Sequence, residues 1–542
     1  MRHPGTEPLP TISRHWLRWL PFGVLALALA VHGRALGTYF AQDDITFLLR
    51  AARHLPHPGL ARSLSAGLAI AGEHAVFGLS PIGYHAVNLL LHGLNTLGVW
   101  ALALALTRGQ RAALLAAVLF GTSSIAFTPL HWVTGIVELL AAACLLGATL
   151  VHWRPGPPGP SRVLTTTVLL AAALLSKETA IPWVAVMVFA DRMSGRDRSH
   201  ARALILPGAL TAGFVAGLLA TGIGLDTARH GAYSMSFAPA FLGANLATYI
   251  AWCVAAWNAL PDAIATSDPL AWRLALPACV VLWLAAGGLP AGRRSPLQVG
   301  VAWWLAFLLP VLPLAGHTYY YYLYVPWIGG SIALAALVSG IADRLGARRA
   351  LLVCVAVAAI DAALQWRDVS LRGSAVEDHL LIDPTLRDAQ LIRHAVSGLE
   401  SARLPAGSSV GFVNPVARPP AAPPRGRSRG EGLDTTRSYI PLEAALRGGE
   451  TLELLAPGLR YRGFSSTIPP DWLDVECFHY EQRGWLEHWG KGPQALLRQA
   501  RVQMASGRTL AAESTFRRAR ALEAGGIRSD SSSGITATSR SR

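Results

Sequence analysis

Charged residues are scarce in this sequence of 542 residues. Asp, Glu, Lys and Arg make up 15% of the chain and hydrophobic residues 52%, whereas a soluble domain carries about 25% charged residues. Lysine is nearly missing, since it occurs only at Lys177 and Lys491. The shortage of charge excludes an ordinary soluble fold for most of the chain.

Cysteine is scarce as well, and the few cysteines have no diagnostic spacing. No pair forms a CxxC motif or another metal-ligand pattern, and four of the five lie in apolar runs. The sequence therefore predicts neither a disulfide framework nor a cysteine-based metal site. The five residues are Cys144, Cys253, Cys279, Cys354 and Cys477.

Long apolar runs take the place of the missing charge. A bilayer core needs roughly 20 apolar residues of helix to cross it, and the runs lack the period-two alternation of barrel strands. We therefore predict an all-α polytopic membrane domain over residues 1–365 with about 11 crossings. The run 241–259 disturbs the parity of these crossings, so we expect it to be re-entrant, interfacial or paired with an unrecognised crossing.

The positive charge indicates an orientation. The net charge of +15 comes almost entirely from Arg, which concentrates in short loops such as 107–111, 154–162 and 192–202. By the positive-inside rule these loops and the N-terminus face the cytoplasm, and the C-terminal part faces the periplasm or exterior. We expect the inner membrane of a bacterium, with the lipid bilayer rather than nucleic acid as the partner of the basic residues.

Two segments of this domain have a more specific prediction. In 162–191 the sequence Ser176-Lys177-Glu178 interrupts an apolar run, which favours two short helices that meet near Lys177 on the outer side. The polar stretch 37–80 after the first apolar run is predicted to be the first periplasmic loop.

The character of the chain changes after residue 365. We predict a soluble α or α/β region over 366–493, with a Pro- and Arg-rich linker at 414–432. Residues 494–524 have the spacing of one tetratricopeptide-like helix pair, and 525–542 form a Ser-rich tail predicted to be disordered. Since a single repeat cannot bury a core, the pair must pack on its own domain, on the membrane part or on a protein partner.

Adjacent carboxylates follow the first apolar run at Asp43 and Asp44. Such a pair at the membrane surface can act as a general base or bind a cation. The alternative is that both residues cap or solvate the start of a helix. The sequence leaves the cofactor unknown and a divalent cation open.

Polar residues inside the apolar runs have two interpretations each. His85 and His92 are seven residues apart and share a helix face, which favours interhelical hydrogen bonds, although the face can also line a cavity. Glu138 either lines a cavity or pairs with a cation. Lys177 either pairs with Glu178 at the interface or has a functional role, since charge at membrane depth is usually functional.

An aromatic stretch, HTYYYYLYVP at 317–326, lies near the end of the membrane region. Its tyrosines are typical of an interfacial belt, and together with His317 they can also bracket a lipid-linked ligand.

Four stretches carry a resemblance to a known family. GYHAVNLLLHGLN at 83–95 is similar to a YHxxNLLLHxxN helix, WVTGIVELL at 132–140 to a WVSG…LL segment, LLSKE at 174–178 to a motif of the same letters, and 317–326 to a (R/Y)YLYLP stretch. In this order they resemble the GT-C superfamily of membrane glycosyltransferases. Within it they resemble the tetratricopeptide-bearing, mannosyltransferase-like proteins related to protein O-mannosyltransferases.

The resemblance implies a function and a set of site residues. Family members transfer a sugar from a polyprenyl-phosphate carrier to a protein, lipid or glycan acceptor on the non-cytoplasmic side, with an acidic residue of the first outer loop as base. Asp43 and Asp44 fall at that place. The candidates for binding the donor phosphate and substrate are Arg50, Arg53, Lys177, Glu178, His317, Tyr320 and Tyr324.

One departure from the family pattern keeps a second hypothesis open. The family's HPxHVE stretch before WVSG is SSIAFT at 123–128 here, without His or Glu. The alternative is a non-catalytic scaffold or a transporter of lipid-linked glycans that retains the GT-C fold. A ligase or polymerase of the O-antigen type is disfavoured, because such enzymes use a large late periplasmic loop and the acidic loop here comes early.

Overall fold

The computed structural model describes two compact units. The described residues are 19–220, 234–254, 271–289, 291–315, 317–377, 380–415, 442–480 and 485–532. The helical unit comprises Met1–Thr38 and Arg53–Ser374, and the sheet unit comprises Tyr39–Ala52 and Ala375–Arg542. The segment that carries Asp43 and Asp44 thus folds with the C-terminal part of the chain.

The helical unit is built from α-helices of 5 to 27 residues. They are α1 Leu20–His32, α3 Ile70–Phe77, α4 Pro81–Thr107, α5 Gln110–Gly121, α6 Phe127–His131, α7 Ile136–His152, α8 Pro160–Ser176, α9 Trp183–Met193, α10 Arg198–Ala203, α11 Ile205–Ala220, α12 Pro239–Val254, α13 Trp272–Gly287, α14 Ala291–Leu308, α15 Tyr324–Ala342 and α16 Ala347–Arg372.

Several of these helices are long and apolar enough to cross a bilayer. Among the described residues five qualify by length and composition, and α5 with the segment 124–131 makes a sixth if that pair, bent by 40°, counts as one span. The protein is therefore a multi-pass membrane protein. The expected 11 crossings are not confirmed by this measure. The five are Leu20–Gly37, Pro81–Thr107, Val133–His152, Arg198–Ala220 and Tyr320–Leu345.

Shorter apolar helices fill the positions where the sequence is ambiguous. Helix α8 ends at Ser176, Lys177 is extended with φ −159°, and α9 begins at Trp183, so two short helices meet near Lys177 as predicted. The run 241–259 corresponds to α12, which ends at Val254, and residues 255–270 lie outside the described part. Helix α16 continues to Arg372, beyond the expected end at 365.

Close packing between α14 and α15 depends on glycine. A Cβ at Gly300 would come within 2.5 Å of the Gly329 carbonyl oxygen and within 2.9 Å of the Ala333 nitrogen. Small residues let helix backbones approach this closely, which is how membrane helices gain packing energy where lipid is as apolar as the side chains.

We expect Gly300→Ala to lower the free energy of unfolding by about 1–3 kcal/mol, because the added methyl group overpacks a filled interface. Gly213→Ala is the matched control, since nothing lies within 4 Å of a Cβ at that position in α11. Thermal unfolding of the purified protein in detergent measures both. Equal melting temperatures for the two variants would show that the α14–α15 contact does not limit stability.

The sheet unit combines helices with a four-stranded sheet. Its order is β4-β3-β5-β6, with β3 parallel to β4 and β5, and with β5 antiparallel to β6. The strands are β1 Ala375–Glu377 and β2 Leu380–Leu381, which form a separate antiparallel pair, and β3 Ser409–Val413, β4 Arg460–Ser465, β5 Glu476–Tyr480 and β6 Leu486–Gly490. The helices are α2 Asp43–Ala52, α17 Pro384–Ser401, α18 Leu442–Ala445, α19 Glu450–Leu455, α20 Gly492–Ala505 and α21 Thr509–Ser532.

Alternation along the strands gives the sheet two buried faces. Val410 and Phe412 pack with residues of α17, α18 and α19, whereas Val413 and Cys477 pack with Leu496 and other residues of α20 and α21. The region after 365 is therefore mixed α and β. The C-terminal helix pair therefore packs on its own domain, which is one of the three surfaces that the sequence left open for it.

The helix pair itself differs in length from the prediction. Helices α20 and α21 are joined by a turn at Ser506, Gly507 and Arg508, in which Gly507 has φ 78°. Helix α21 continues to Ser532, so the part of the expected tail up to that residue is helical, and 533–542 lie outside the described residues. The linker 414–432 lies outside them from residue 416 onward. That the pair is tetratricopeptide-like stays a prediction.

Candidate functional site

The acidic pair stands at the start of α2, and its two carboxylates have different surroundings. The Asp44 side chain is fully buried, and its Oδ2 accepts the backbone N–H of Ala41 at 3.0 Å. The Asp43 side chain is 50% exposed, and its Oδ1 lies 3.5 Å from Nη2 of Arg447. Asp44 thus holds the backbone at the head of the helix, while the Asp43 carboxylate is accessible at the surface of the sheet unit.

Residues far along the chain hold the acidic segment in the sheet unit. The backbone N–H of Gln42 donates to Oδ2 of Asp388 at 2.6 Å, and the Thr46 hydroxyl donates to Oε2 of Glu450 at 2.8 Å. Arg447 bridges Glu450 and Asp43 with its guanidinium at 3.5 Å from each. Gln42 has φ 46°, so these contacts fix a backbone conformation that non-glycine residues rarely adopt.

Asp388, which accepts the Gln42 N–H, has a raised pKa. Burial raises the pKa of Asp388 to about 6, and the neighbouring Asp43 carboxylate acts in the same direction. The Gln42 N–H and the Arg447 charge oppose the shift without cancelling it. Since Asp388 is 4% exposed, it is a positioning residue for the acidic segment rather than a candidate base.

The raised pKa predicts a pH dependence of stability. A carboxyl with a pKa of about 6 when folded and about 3.9 when unfolded binds its proton more tightly in the folded state. Its contribution to stability is therefore complete below about pH 4 and is lost as the pH rises through about 6. We expect the wild-type melting temperature to fall as the pH rises from about 4 to about 6. In Asp388→Asn, which still accepts the Gln42 N–H, this fall in melting temperature should be smaller. An unchanged slope in the variant would assign the dependence to other groups.

A second cluster, in the helical unit, is centred on Lys177. Its ammonium group forms an ion pair with Oε1 of Glu138, and the two side chains are only 4% and 6% exposed. The ammonium also lies 5.0 Å from the ring centre of Tyr322 and 5.6 Å from that of Tyr321. A carboxylate and two aromatic faces thus compensate the desolvation of the charge.

Glu178 pairs with a residue that the motifs do not include. Nη2 and Nε of Arg62 donate to its two carboxylate oxygens at 2.6 and 3.2 Å. The Arg62 and Glu178 side chains are 31% and 34% exposed, so this pair is more accessible than the Lys177 pair. Arg62 itself has φ 63° and precedes a π-helical turn, Ser63–Ala69, whose Ser65 hydroxyl donates to the Ser176 carbonyl at the end of α8.

Aromatic rings surround the Lys177 cluster. Tyr319 and Tyr321 are stacked with centroids 5.3 Å apart, and the His317 ring meets Tyr319 edge-on at 4.7 Å. Trp132 meets Tyr321 edge-on at 5.9 Å. The buried Trp132 indole N–H has no acceptor among the described residues, and such an orphaned donor requires an explanation. Segments 132–140, 174–178 and 317–322 thus meet at one place in the helical unit.

The histidine and asparagine face of α4 contacts the loop beside this place. The His85 Nδ1–H donates to the Leu130 carbonyl at 2.8 Å, and the Asn88 amide donates to the Trp132 carbonyl at 3.0 Å. A Cβ at Gly135 would overlap the Pro129 backbone, which explains the glycine in this turn. The polar face of α4 therefore fixes the loop that carries Trp132.

His92 and Tyr324 form a buried network of their own. Because the Gly121 carbonyl can only accept, Nε2 of His92 donates to it at 3.0 Å, and Nδ1 accepts from the Tyr324 hydroxyl at 2.9 Å. The Asn95 amide donates to the same hydroxyl at 3.2 Å. The Tyr324 hydroxyl and both ring nitrogens of His92 thus have buried partners, which does not favour substrate binding by Tyr324 or cavity lining by His92.

Three other predicted residues are Tyr320 and Arg53 in the helical unit and Arg50 in the sheet unit. Tyr320 is buried, with its hydroxyl 3.1 Å from the Ser124 hydroxyl and the Arg372 guanidinium 5.3 Å from its ring. Arg50 lies in the last turn of α2 in the sheet unit, and Arg53 is an exposed residue at the start of 53–374. In the part of the chain that the structure describes, no group of three or more His, Cys, Asp or Glu side chains could hold a metal ion.

Comparison with known proteins supports the resemblance read from the motifs. The chain is similar to protein O-mannosyl-transferases. It is 38% identical over 125 residues to Protein O-mannosyl-transferase Tmtc2 of Drosophila melanogaster and 34% identical over 125 residues to Tmtc1 of the same species. Each match covers 22% of this chain and spans only 13% and 15% of the relatives' own lengths. No protein-family model matches.

Solved structures show weak overall likeness. The apo oligosaccharyltransferase of Archaeoglobus fulgidus has a TM-score of 0.45 and 11% identity, covering 74% of this chain and 63% of that chain. ArnT from Cupriavidus metallidurans bound to undecaprenyl phosphate has a TM-score of 0.41 and 15% identity, covering 74% of this chain and 83% of that chain. At these values no residue roles are transferred between the structures.

Proposed function

We propose that this protein is a membrane glycosyltransferase that moves a sugar from a polyprenyl-phosphate carrier to a hydroxyl acceptor outside the cytoplasm. The observation that carries the proposal is the half-exposed Asp43 carboxylate, held at the head of α2 by a buried neighbour and by residues of the C-terminal part. The similarity to protein O-mannosyl-transferases supports the reaction class. The sugar, the carrier and the acceptor are part of the proposal.

The proposed reaction uses Asp43 as general base. Its carboxylate takes the proton of the acceptor hydroxyl while that oxygen forms a bond to the anomeric carbon of the sugar. The bond from that carbon to the carrier phosphate breaks, and the polyprenyl phosphate leaves with the electron pair. A positioned base of this kind contributes about 10²–10⁴-fold in rate. Asp44 and Asp388 position the segment and do not touch the acceptor.

The carrier phosphate needs a cationic group, and Arg62 of the helical unit supplies it in this proposal. Lys177 lies against the rings of Tyr321 and Tyr322, which suit a lipid-linked sugar, and the neighbouring Trp132 offers an indole N–H. Charged donors aimed at a developing phosphate charge act strongly where water is excluded. In this proposal the N-terminus faces the cytoplasm, and the sheet unit lies outside an inner membrane. A protein partner binds through α20 and α21.

A transfer assay in membranes tests the proposal. Membranes that contain the full chain receive polyprenyl-phosphate sugars, and incorporation into acceptor is compared between wild type and Asp43→Ala/Asp44→Ala. We expect incorporation in the wild type and its loss in the double variant. Equal incorporation by both proteins would remove the acidic pair from the mechanism.

The second candidate is a non-catalytic scaffold or transporter of lipid-linked glycans. It is favoured by the segment 123–128, which is buried apart from a partly exposed Thr128 and contains neither His nor Glu. It predicts carrier binding without transfer from any polyprenyl-phosphate sugar supplied to folded protein. Sugar incorporation in the membrane assay would contradict it.

A further inference from the structure

Four charged side chains of the Lys177 cluster neutralise one another. Lys177 pairs with Glu138, and Arg62 pairs with Glu178 through both carboxylate oxygens. Two cations and two anions give no net charge within the cluster. An anionic ligand can therefore gain a cationic partner here only if one of the two ion pairs opens.

The two pairs differ in how easily they open. Glu138 and Lys177 are 6% and 4% exposed, so separating them leaves an uncompensated buried charge. Glu178 and Arg62 are 34% and 31% exposed, so a carboxylate displaced there is less enclosed by protein than Glu138 would be. The pair that can exchange its partner is thus Arg62–Glu178.

Arg62 also has the geometry that a phosphate group requires. Its guanidinium already presents two N–H groups in parallel to the two oxygens of a carboxylate, at 2.6 and 3.2 Å. A phosphate group, as the diester of the donor or the monoester of the released carrier, presents oxygens that the same fork binds. The aromatic rings of Tyr319, Tyr321 and Trp132 lie in the same cluster through their contacts with each other and with Lys177.

Resting on the proposed function, we infer that Arg62 is the ligand of the carrier phosphate and that Glu178 occupies its place in the empty protein. On binding, the lipid-linked phosphate replaces the Glu178 carboxylate on the Arg62 guanidinium, and Glu178 turns to solvent. Lys177 stays paired with Glu138 and keeps its contacts with the rings of Tyr321 and Tyr322. Glu178 is therefore a built-in competitor of the carrier.

Binding of a polyprenyl phosphate without sugar to the purified full chain in detergent tests the exchange. Arg62→Gln should weaken binding about tenfold to a hundredfold, as expected for the loss of a charged hydrogen-bonding partner. Glu178→Gln should tighten binding about threefold to tenfold, because the competitor is gone. Arg62→Lys retains the charge and should retain most of the affinity, which separates loss of charge from loss of folding.

A matched control is the ion pair Arg111–Asp343, which is similarly exposed at 36% and 32% with a 2.9 Å separation. Asp343→Asn should leave carrier binding unchanged. Unchanged affinity in Arg62→Gln, or weaker binding in Glu178→Gln, would overturn the exchange. Polyprenol or inorganic phosphate binding as tightly as the polyprenyl phosphate would overturn the assignment of a lipid-linked phosphate.

The inference and the proposed function fail in different ways. The variants can bind the carrier in the expected order of affinity although the protein transfers no sugar. That result would support the exchange and contradict the proposed glycosyltransferase activity. Transfer by Arg62→Gln with the wild-type KM for the donor overturns the exchange and leaves the enzyme standing.

Discussion

Asp43→Asn is expected to lower sugar transfer by about 10²–10⁴-fold, the usual contribution of a positioned general base. The amide keeps the size of the side chain and removes its ability to take a proton. Because the Asp43 side chain is half exposed, the substitution should leave the melting temperature nearly unchanged. Initial rates of transfer at saturating donor, measured with thermal unfolding of the same preparations, check both parts.

The neighbouring residue provides the matched control. Asp44→Asn can still accept the Ala41 N–H with its amide oxygen, so we expect transfer within about tenfold of wild type. Asp44→Ala removes that acceptor and should cost about 1 kcal/mol of stability, the usual loss for a capping side chain. If Asp44→Asn abolished transfer and Asp43→Asn retained it, the assignment of the base would have to be reversed.

The second large effect concerns the buried ion pair. Lys177→Met alone or Glu138→Leu alone should lower the free energy of unfolding by about 3–5 kcal/mol, because each leaves one uncompensated charge in the interior. Replacing both residues removes both desolvation penalties, so Glu138→Leu/Lys177→Met should recover most of the folded yield. Detergent thermal unfolding and the folded fraction in membranes measure this difference.

The double variant also separates two roles of Lys177. If Lys177 only neutralises the buried charge of Glu138, transfer by the folded double variant should fall by less than about tenfold. Complete loss of transfer in a folded double variant would mean that Lys177 itself binds the phosphate. Single variants cannot make this distinction, because they also destabilise the fold.

The membrane architecture could be predicted from the sequence where local pattern determines it. Apolar length predicts a spanning helix because hydrocarbon thickness sets that length. The break at Lys177 was predictable because charge ends an apolar run, and the structure has α8 ending at Ser176. The total number of crossings was not, since short apolar helices such as Pro239–Val254 fall below the length that composition alone can interpret.

The sites were predictable in part. The sequence singled out Asp43, Glu138 and Lys177, which lie in the two clusters, because these residue types are unusual in their local surroundings. Its two tyrosine candidates, Tyr320 and Tyr324, have other partners. The sequence did not single out Asp388 and Arg447, which contact the acidic segment from more than 340 residues away along the chain. Such contacts depend on tertiary folding, which leaves no local signal in one sequence.

Two further differences have the same cause. Arg62 lies in a polar stretch where an arginine is unremarkable, and only its bidentate contact with Glu178 distinguishes it. Tyr324 belongs to the same aromatic run as Tyr321, yet helix α15 begins there and directs it to His92. Neighbours in a tyrosine run enter different environments once the chain changes from 3₁₀ to α geometry.

The most direct test of the glycosyltransferase account is a stoichiometric reaction with the purified full chain in liposomes. A polyprenyl-phosphate sugar labelled in the sugar is supplied with candidate hydroxyl acceptors, and labelled product and released polyprenyl phosphate are both quantified. The account predicts equal amounts of the two products from wild type and neither from Asp43→Asn. The account would be contradicted if folded wild-type protein left all of the label on the carrier with every donor and acceptor supplied.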